Sequence, residues 1–372
     1  MSKFVCASCL LLAAAASSSY ACTSFKVKTE EGYVFYGRTL EGKSFGSSIS
    51  IVPKGTQYVG TLPNGKQNGL KWTAKHGFVG MNAGGLPQMI DGINDRGLAA
   101  GNLFFPGYAD YQPFQPEQAE RTIAQYEVIT WILSNFATVA ELKEGIKTIH
   151  VCRAVIDLAG DLPLHYTIHD PQGNSLVIEH VKGELKVYDN PLGVMTNSPT
   201  LDWHLTNLRN YVGLSPKNTD PVFVGGVKET GFGQGGGMMG LPGDYTSPSR
   251  FVRVVALVSS ALPVKGYDEG LNLTMTILDT VDIAKGTVRD VSGKTTQYDI
   301  TNWSVAVDLG RKKYYYRRYF NKDWRCVNVM KALANAKGIM TISIDDPPAY
   351  KDVTDKAVPY TLPKEIYPEG KP

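Results

Sequence analysis

The order of the predicted strands and helices is the feature that most constrains the fold. Alternating apolar residues predict strands at the start of the chain, and helices, strands, helices and strands follow in that order. After a hairpin that turns at 94–97, the predictions are helices over about 116–136 and from 138, a strand meander over 165–188, helices over about 200–211, 248–261 and 267–284, and strands over 303–307 and 313–320. This order lacks the regular strand–helix alternation of a doubly wound parallel sheet. No repeat or low-complexity linker divides the chain, which indicates a single domain.

The first 21 residues are predicted to be a secretory signal. A short apolar run follows the lone cation Lys3, and Ser19 and Ala21 place small residues at positions −3 and −1 of a cleavage site after Ala21. The run is shorter than the roughly 20 residues that span a bilayer, and no later segment of that length is continuously apolar. The sequence therefore predicts an exported chain, periplasmic or secreted, without stable membrane insertion.

Cleavage after Ala21 would explain the odd number of cysteines, which is five. Cys6 and Cys9 would leave with the signal, and Cys22 would become the first residue, with a free α-amino group. The alternative is a lipoprotein anchor on the Cys22 thiol. The bulky Tyr20 beside the cleavage site argues against this alternative.

The residues after Cys22 predict a hairpin that carries the candidate site. Apolar residues alternate on both sides of a turn at 30–33. In a tight hairpin, Cys22 would lie opposite Glu41 and Phe25 opposite Arg38, and the Cβ atoms of opposed residues are about 4.5–5.5 Å apart. The hairpin therefore predicts that Arg38 and Glu41 lie close to Cys22. A shift of one residue would change this pairing.

An N-terminal cysteine can combine a nucleophile and a base in one residue. The thiolate is the reactive form, and a cysteine with an ordinary pKa of about 8.5 is mostly protonated at neutral pH. An α-amino group with a pKa near 8 can take the thiol proton and later protonate a leaving amine. Arg38 would favour the thiolate, and Glu41 would accept a hydrogen bond from the ammonium or from Arg38. The alternative is that Cys22 only begins a strand and that the two charged residues form a surface pair.

Other chemistries find little support in the sequence. The six histidines lack the HExxH spacing of zinc hydrolases, and His165 and His169 are expected to make ordinary pairs on a strand, so no metal or cofactor is predicted. Lys and Arg, 38 in number, nearly balance the 35 Asp and Glu, which argues against a nucleic-acid partner. Cys152 and Cys326 lack an activating context and are predicted to be structural thiols, with a mutual disulfide as the alternative.

Several spaced motifs together resemble one family. Besides Cys22 after a signal, they are GRTLE at 37–41, DGINDRGL at 91–98, MTNSP at 195–199, GLPGD at 240–244 and PSRF at 248–251. In this order they are similar to the choloylglycine hydrolase family, which comprises conjugated bile salt hydrolases and penicillin V acylases. The resemblance extends from Cys22 to the tyrosines at 314–316, which is most of the chain after the signal.

This resemblance implies a fold and a set of site residues. The fold is that of N-terminal-nucleophile hydrolases, an α+β four-layer αββα sandwich of two antiparallel sheets, as one domain over 22–372. The activity is hydrolysis of a linear, non-peptide amide. By position, the implied roles are nucleophile and base for Cys22, flanking charges for Arg38 and Glu41, oxyanion-hole donors for the side chain of Asn197 and the backbone N–H of Phe104, and completion of the polar cluster for Arg250.

Two positions depart from the family pattern. The best-known members have Asp at the position of Glu41, whose carboxylate reaches one methylene further. Bile salt hydrolases resemble one another in having Asn at the position of Phe104, and penicillin V acylases in having Tyr. Phe104 keeps a backbone donor but offers no side-chain hydrogen bond to a substrate. Phe104, Phe105 and Trp203 are expected to line an acyl pocket, with ordinary core packing as the alternative.

The glycine-rich segment 213–246 resembles the subunit-assembly loop of the family and implies a homotetramer, with a mobile surface loop as the alternative. The predicted function is hydrolysis of glycine- or taurine-conjugated bile salts through an acyl-thioester on Cys22. Penicillin V or an N-acyl homoserine lactone is the alternative substrate. A hypothesis of a different class is a catalytically silent, lipidated binding protein.

Overall fold

A computed structural model describes residues 21–42, 46–85, 88–155, 161–291 and 296–360. The predicted signal lies outside the described residues apart from Ala21, and so do Cys6 and Cys9. The strands are β1 Cys22–Lys28, β2 Val34–Gly42, β3 Ser48–Val52, β4 Gln57–Thr61, β5 Gln67–Thr73, β6 Phe78–Met81, β7 Asp91–Asn94, β8 Ala99–Phe104, β9 Thr122–Ala124, β10 His150–Cys152, β11 Leu164–His169, β12 Ser175–Val181, β13 Glu184–Asp189, β14 Val222–Val224, β15 Val227–Glu229, β16 Arg289–Asp290, β17 Gln297–Tyr298, β18 Ile300–Asp308, β19 Lys313–Arg318, β20 Asn321–Asn328 and β21 Met340–Ser343.

The helices are fewer and mostly short. The α-helices are α1 Val128–Asn135, α2 Val139–Gly145, α3 Leu201–Asn207, α4 Ser247–Ser260, α5 Gly266–Asp279 and α6 Val329–Asn335. The 3-10 helices are Pro116–Arg121, Gln125–Glu127, Ile146–Thr148, Leu208–Tyr211, Gly236–Met238 and Thr354–Lys356. Across the described part of the chain, every helix is too short or too polar to cross a bilayer.

Two antiparallel sheets form the centre of the molecule. One has the strand order β1-β2-β18-β19-β20, and the other has the order β13-β12-β11-β8-β7-β6-β3-β21. Their facing sides share a core that includes Tyr36 and Val305 from the first sheet and Ile93 and Leu103 from the second. Helices α4 and α5 cover the outer side of the five-stranded sheet, and α1 and α2 cover that of the eight-stranded sheet. The predicted αββα architecture is confirmed.

The register of the first hairpin differs from the prediction by one residue. Cys22 lies opposite Leu40 rather than Glu41, and Phe25 lies opposite Gly37 rather than Arg38. The reason is an odd loop: Thr29 N donates to Tyr33 O (3.0 Å), which closes a three-residue connection that ends on Gly32 at φ +87°. Three-residue loops of this kind need a left-handed residue, which glycine adopts without strain.

The predicted helix over 116–136 is interrupted by strand β9, and only its last part, α1, is α-helical. The carboxylate of Glu127 accepts hydrogen bonds from the backbone N–H groups of Ala124 (2.8 Å) and Thr61 (2.9 Å). Strand β9 also pairs in parallel with β10. These tertiary partners satisfy the backbone without a helix, so they override the apolar periodicity of the segment.

Other local signals are confirmed. The turn at 94–97 joins the antiparallel strands β7 and β8, and the predicted meander is β11-β12-β13. The Thr138 side chain caps α2 by accepting from Glu141 N at 3.2 Å, and Pro248 lies in the first turn of α4. The glycine-rich segment is largely exposed and includes the small hairpin of β14 and β15, with Phe223 71% exposed.

Candidate active site

Cys22 begins β1 and is 1% exposed, with its side chain in the core between the two sheets. Because opposed residues share a face, the observed register places Arg38, which lies opposite Ser24, on the same face as Cys22. The Arg38 Nη2 atom is 4.0 Å from the Cys22 Sγ atom. Glu41, one residue beyond Leu40, belongs to the opposite face. The structure therefore brings Arg38 to the thiol, whereas the predicted register would have aligned Glu41 with it.

The Arg38 guanidinium is completely buried, and both of its terminal nitrogens donate hydrogen bonds. It donates to the backbone carbonyls of Ile90 and Asn102 and lies 3.3 Å from an Asp91 carboxylate oxygen. Its central carbon lies 5.2 Å from the centroid of the Trp303 ring. Buried charges are tolerated when they are paired and hydrogen-bonded in this way. Arg38 is therefore a cation whose position beside the thiol is fixed by hydrogen bonds and by Asp91.

Asp91 holds this cation from the eight-stranded sheet. Besides Arg38, its carboxylate accepts from the hydroxyls of Tyr36 (2.6 Å) and Tyr314 (2.5 Å). Burial and the Asp91 charge raise the pKa of both tyrosines well above the usual value, so these hydroxyls stay protonated as donors. A Cβ atom on Gly101 would lie 2.6 Å from Tyr36 Oη and 2.8 Å from Arg38 Nη1, so only glycine leaves room here.

This network was not predicted as part of the site. Asp91 opens the DGINDRGL motif, which predicts a turn and carries part of the family resemblance but does not indicate a role for Asp91. The signal that could have found it is an aspartate between the apolar residues Ile90 and Ile93 of a predicted strand, since a buried carboxylate requires donors nearby.

The Cys22 thiol has a raised pKa in the observed state. Burial is the largest cause, whereas Arg38 and a backbone hydrogen bond from Phe104 lower the pKa. Arg38 therefore lowers the thiol pKa as predicted, but burial outweighs this contribution and the net pKa is raised. A buried thiol of this kind needs a nearby base before it can act as a nucleophile.

The Asn197 side chain lies against the backbone of Cys22. Its Oδ1 atom accepts from Cys22 N (2.8 Å) and from Arg250 Nη2 (2.7 Å), and its Nδ2 atom donates to Phe104 O (2.8 Å). Two donors beside the oxygen and one acceptor beside the nitrogen determine the orientation of the amide. Asn197 N donates to Ser247 Oγ at 2.9 Å, which ties the loop to the start of α4.

Arg250 approaches Cys22 from α4. Its Nη1 atom donates to Cys22 O and to Thr23 Oγ1, both at 2.6 Å, and its Nε atom donates to Tyr245 O at 3.0 Å. The residue is 1% exposed. Arg250 therefore fixes the backbone of the candidate nucleophile and, through Asn197, the amide beside it.

Glu41 is buried beside the hydroxyls of Thr301 and Thr39, which interact with it only weakly. Its Oε1 atom lies 3.4 Å from Thr301 Oγ1, and its Oε2 atom has no hydrogen-bond partner among the described residues. Burial raises the pKa of the Glu41 carboxyl to about 8, although Arg250 lowers it. The backbone N–H of Glu41 donates to Ala21 O at 2.8 Å, so the carboxyl belongs to a residue that directly contacts the predicted cleavage site.

The predicted pocket aromatics differ in exposure, although Phe104 and Phe105 belong to the same hydrophobic cluster. Phe104 ends β8 and is 8% exposed, whereas Phe105 is completely buried and stacks on His165 with 4.3 Å between ring centroids. Phe105 thus follows the core-packing alternative. Trp203, on α3, is 44% exposed.

The other two cysteines among the described residues are free thiols. Cys152 is buried, which raises its pKa to about 12, and Cys326 is exposed, so the alternative of a mutual disulfide is wrong. Within the described ranges, no group of three or more His, Cys, Asp or Glu side chains could hold a metal ion.

Comparison with known proteins supports the resemblance across most of the chain. The family described as linear amide C–N hydrolases, choloylglycine hydrolase family, matches residues 22–342. A bile salt hydrolase/transferase from Clostridium perfringens is 34% identical over 328 residues, which cover 86% of this chain and 96% of that protein. A conjugated bile acid hydrolase from Lactobacillus acidophilus is 32% identical over 79% of this chain and 91% of its own length.

Solved structures share the same architecture. The crystal structure of a variant of the conjugated bile acid hydrolase from Clostridium perfringens superposes with a TM-score of 0.79 at 31% identity, over 90% of this chain and all of the other. A penicillin V acylase from Agrobacterium tumefaciens, at 22% identity and a TM-score of 0.70, covers 87% of this chain and 91% of its own and shares the fold. The chain therefore belongs to the choloylglycine hydrolase family of enzymes that cleave linear amide C–N bonds.

Proposed function

We propose that this enzyme, once residues 1–21 are removed, hydrolyses glycine- or taurine-conjugated bile salts through an acyl-thioester on Cys22. The observation that carries the proposal is the convergence on Cys22 of Arg38 at the thiol, Asn197 at the nitrogen and Arg250 at the carbonyl. The relatives that are named bile salt hydrolases support the choice of substrate.

The first step is attack by the thiol. The free α-amino group of Cys22 takes the proton from Sγ, and the thiolate attacks the carbonyl carbon of the substrate amide. As the C–S bond forms, the carbonyl π electrons move to the oxygen. The Arg38 cation favours the thiolate during this transfer. In a chain that begins at Cys22, Asn197 Oδ1 and the Glu41 carboxyl are the acceptors proposed for the ammonium hydrogens.

The second step is stabilisation and collapse of the oxyanion. Asn197 Nδ2 has one hydrogen on Phe104 O and a second hydrogen available for the substrate oxyanion, with the backbone N–H of Phe104 as the other proposed donor. A donor of this kind typically contributes about 3–4 kcal/mol to the transition state. Collapse breaks the C–N bond, and the leaving glycine or taurine nitrogen takes the proton from the α-ammonium.

The third step is hydrolysis of the thioester, in which water replaces the thiol as the nucleophile and the α-amino group again acts as the base. The α-amino group accepts a proton from water while the water oxygen attacks the thioester carbonyl. Collapse then breaks the C–S bond, the thiolate recovers a proton from the ammonium, and the bile acid leaves. The proposed reaction needs no metal or cofactor, because one residue supplies both the nucleophile and the base.

Export and assembly are further parts of the proposal. The signal over 1–21 would take the chain to the periplasm or outside the cell, where the remainder, 22–372, would act as one domain. The exposed segment 213–246, with Phe223 71% and Phe232 completely exposed, would pack against other subunits of a homotetramer.

Penicillin V is the second candidate substrate. The observation that favours it is the aromatic side chain at Phe104, which is next to the proposed oxyanion site and cannot hydrogen-bond a conjugate through its side chain. A penicillin V acylase from Pectobacterium atrosepticum is 30% identical over 54% of this chain. N-acyl homoserine lactones remain the third substrate class to be tested.

The test compares substrates and cysteine variants. We expect the wild type to release glycine or taurine from bile conjugates, and Cys22→Ser to be at least about 1,000-fold slower because a serine is far less nucleophilic here. Cys152→Ser and Cys326→Ser are matched controls that should keep the wild-type rate. Release by Cys22→Ser at the wild-type rate would contradict the mechanism. A preference of about tenfold for penicillin V over bile conjugates would identify penicillin V as the substrate instead.

Intact mass tests the proposed N-terminus. A chain that begins at Cys22, without further mass, supports the proposal, whereas a diacylglyceryl group on Cys22 would support the lipidated binding protein instead. A chain that retains Ala21 should be inactive, because an amide nitrogen on Cys22 cannot act as a base.

A further inference from the structure

Two buried histidines converge on the backbone next to Asn197. His165, on β11, places its Nε2 atom 2.9 Å from Thr196 O. His204, on α3, places its Nε2 atom 2.9 Å from Asn197 O. Both side chains are completely buried. Consecutive carbonyl groups of the loop that carries Asn197 are therefore each held by an imidazole from a different element.

These contacts determine which nitrogen of each ring donates to the loop. A carbonyl oxygen can only accept, so Nε2 carries the hydrogen in both histidines. Burial lowers the pKa of His204 to about 4, so its ring is neutral near pH 7, and its Nδ1 atom has no hydrogen-bond partner among the described residues. Within the described structure, the His204 ring therefore makes one hydrogen bond, which is to Asn197 O.

The two rings are themselves held firmly. His165 stacks on Phe105 with 4.3 Å between centroids, and His204 stacks on Phe251 with 4.6 Å. The Glu179 carboxylate lies 3.4 Å from His165 Nδ1 and also accepts from Leu201 N at 3.0 Å, at the start of α3. The same carboxylate therefore contacts one histidine and the helix that carries the other.

We propose that His165 and His204 are positioning residues for the oxyanion donor Asn197. By holding the Thr196 and Asn197 carbonyls, they fix the peptide from which the Asn197 amide projects towards Cys22. This inference rests on the proposed role of Asn197 in the reaction. Preorganised donors are effective only when their position is fixed before the charge develops, and displacements of about 1 Å can cost as much as 100-fold in rate.

The test uses matched substitutions of each histidine. In His204→Gln, the side-chain amide nitrogen reaches approximately the place of Nε2 and keeps the donor, whereas His204→Leu removes it. We expect the leucine variant to lower kcat about 10- to 100-fold with KM within about threefold, and the glutamine variant to recover most of the loss. His165→Gln and His165→Leu should behave in the same way.

His150 provides a control of the same kind. It is also buried and its Nε2 atom also contacts a backbone carbonyl, Pro113 O at 3.0 Å, in a loop that carries none of the proposed catalytic residues. His150→Leu should change kcat less than twofold at a temperature where the protein stays folded. An equal loss of kcat in His150→Leu and His204→Leu would overturn the proposal, because both would then report general destabilisation.

A double-mutant cycle asks whether the histidine acts through Asn197. Against an Asn197→Ala background, His204→Leu should have almost no further effect on kcat, since the donor that it positions is gone. Multiplicative losses in the double variant would contradict the proposal. If the leucine variants do not fold, His204→Asn, whose amide nitrogen falls short of the Nε2 position, replaces them in the same cycle.

Crystal structures of the variants give a readout that needs no substrate. In His204→Leu, the Asn197 Nδ2 to Phe104 O distance should increase from 2.8 Å to beyond hydrogen-bonding distance, and His204→Gln should retain it. An unchanged distance in the leucine variant overturns the positioning role. Failure of the wild type to hydrolyse any tested amide would contradict the proposed function instead, so the two failures are distinguishable.

Discussion

The two faces of the five-stranded sheet bury charge in opposite ways. On the inner face, Arg38 is matched by two carbonyls and by Asp91, whose carboxylate also accepts from two tyrosines. On the outer face, the Glu41 carboxyl has only weak interactions with the hydroxyls of Thr301 and Thr39 in the described structure. A buried cation that is paired in this way keeps its charge, whereas burial keeps the poorly paired Glu41 carboxyl mostly protonated near neutral pH.

This difference separates a group whose partners are present before cleavage, Arg38, from a group whose proposed partner forms on cleavage, Glu41. Apart from Cys22 itself, the hydrogen-bond partners of Arg38 are Ile90, Asp91 and Asn102, which lie far from the cleavage site in sequence, so they are in place before any processing of the chain. Glu41 directly follows the residue opposite Cys22, and its N–H contacts Ala21. A new α-ammonium on Cys22 is the proposed donor to the Glu41 carboxyl. The inner face therefore places a cation beside the thiol, and the outer face provides the proposed acceptor for the amine.

The largest effect is expected on the inner face. Arg38→Met should lower the free energy of unfolding by about 3–5 kcal/mol, because Asp91 would keep a buried charge without its cation. Activity should also be lost, since no cation would remain beside the thiol. Denaturant unfolding and amide hydrolysis measure the two effects. A decrease in the free energy of unfolding of less than about 1 kcal/mol would show that the ion pair of Arg38 and Asp91 does not stabilise the fold.

The outer face should show a distinctive pH dependence. In the chain that retains residues before Cys22, the Glu41 pKa of about 8 exceeds that of the unfolded chain, so the folded state binds the extra proton. The free energy of unfolding should therefore fall as the pH rises from about 5 to 8, by up to about 4 kcal/mol, and Glu41→Gln should remove this slope.

The chain that begins at Cys22 is the control for this slope. Its α-ammonium should lower the Glu41 pKa, so the pH dependence over the same range should be smaller than in the unprocessed chain. Urea unfolding at several pH values compares the two. Equal slopes in both chains would argue against contact between Glu41 and the new N-terminus.

A smaller effect should follow when one donor of the inner network is removed. Tyr314→Phe deletes one of the hydrogen bonds to Asp91 and should cost about 1.5–3 kcal/mol, since the acceptor is charged and buried. The adjacent Tyr315, half-buried and bonded to the Tyr267 hydroxyl at 2.6 Å, is the matched control, and Tyr315→Phe should cost less. The reverse order, measured by thermal or denaturant unfolding, would contradict the importance of Asp91.

The smallest effect is expected for an exposed charge pair. Lys147 and Glu144 lie 2.8 Å apart, but their side chains are 56% and 73% exposed. Lys147→Ala should change the free energy of unfolding by less than about 0.5 kcal/mol, because water already solvates both charges. A change as large as that of Tyr314→Phe would remove the contrast between buried and exposed charges.

Local features of the fold could be predicted from neighbouring residues. The turn at 94–97, the Thr138 cap and the start of α4 each depend on a few consecutive residues, and all three are present. The prediction of a helix over 116–136 was wrong for its first part, because Glu127 and the partner strand β10 satisfy the backbone hydrogen bonds there. Neither partner can be identified from the apolar period of that segment.

The candidate site shows the same division. The proximity of Arg38 and Glu41 to Cys22 could be predicted from one hairpin, but the face on which each lies could not, because a three-residue loop shifts the register by one. The places of Asn197 and Arg250 followed from the family resemblance and not from spacing. The roles of Asp91, His165 and His204 depend on contacts that cross between elements.

The sequence by itself determined the order of strands and helices and the position of a cysteine at the first strand beside a predicted cleavage site. These follow from periodicity, turn chemistry and composition, which act over a few residues. The tertiary structure decided which charges meet the thiol and which amide faces Cys22, across sequence separations of 175 residues for Asn197 and 228 for Arg250. The physical reason is that burial makes each polar group find a partner, and only the packed sheets specify which one is within reach.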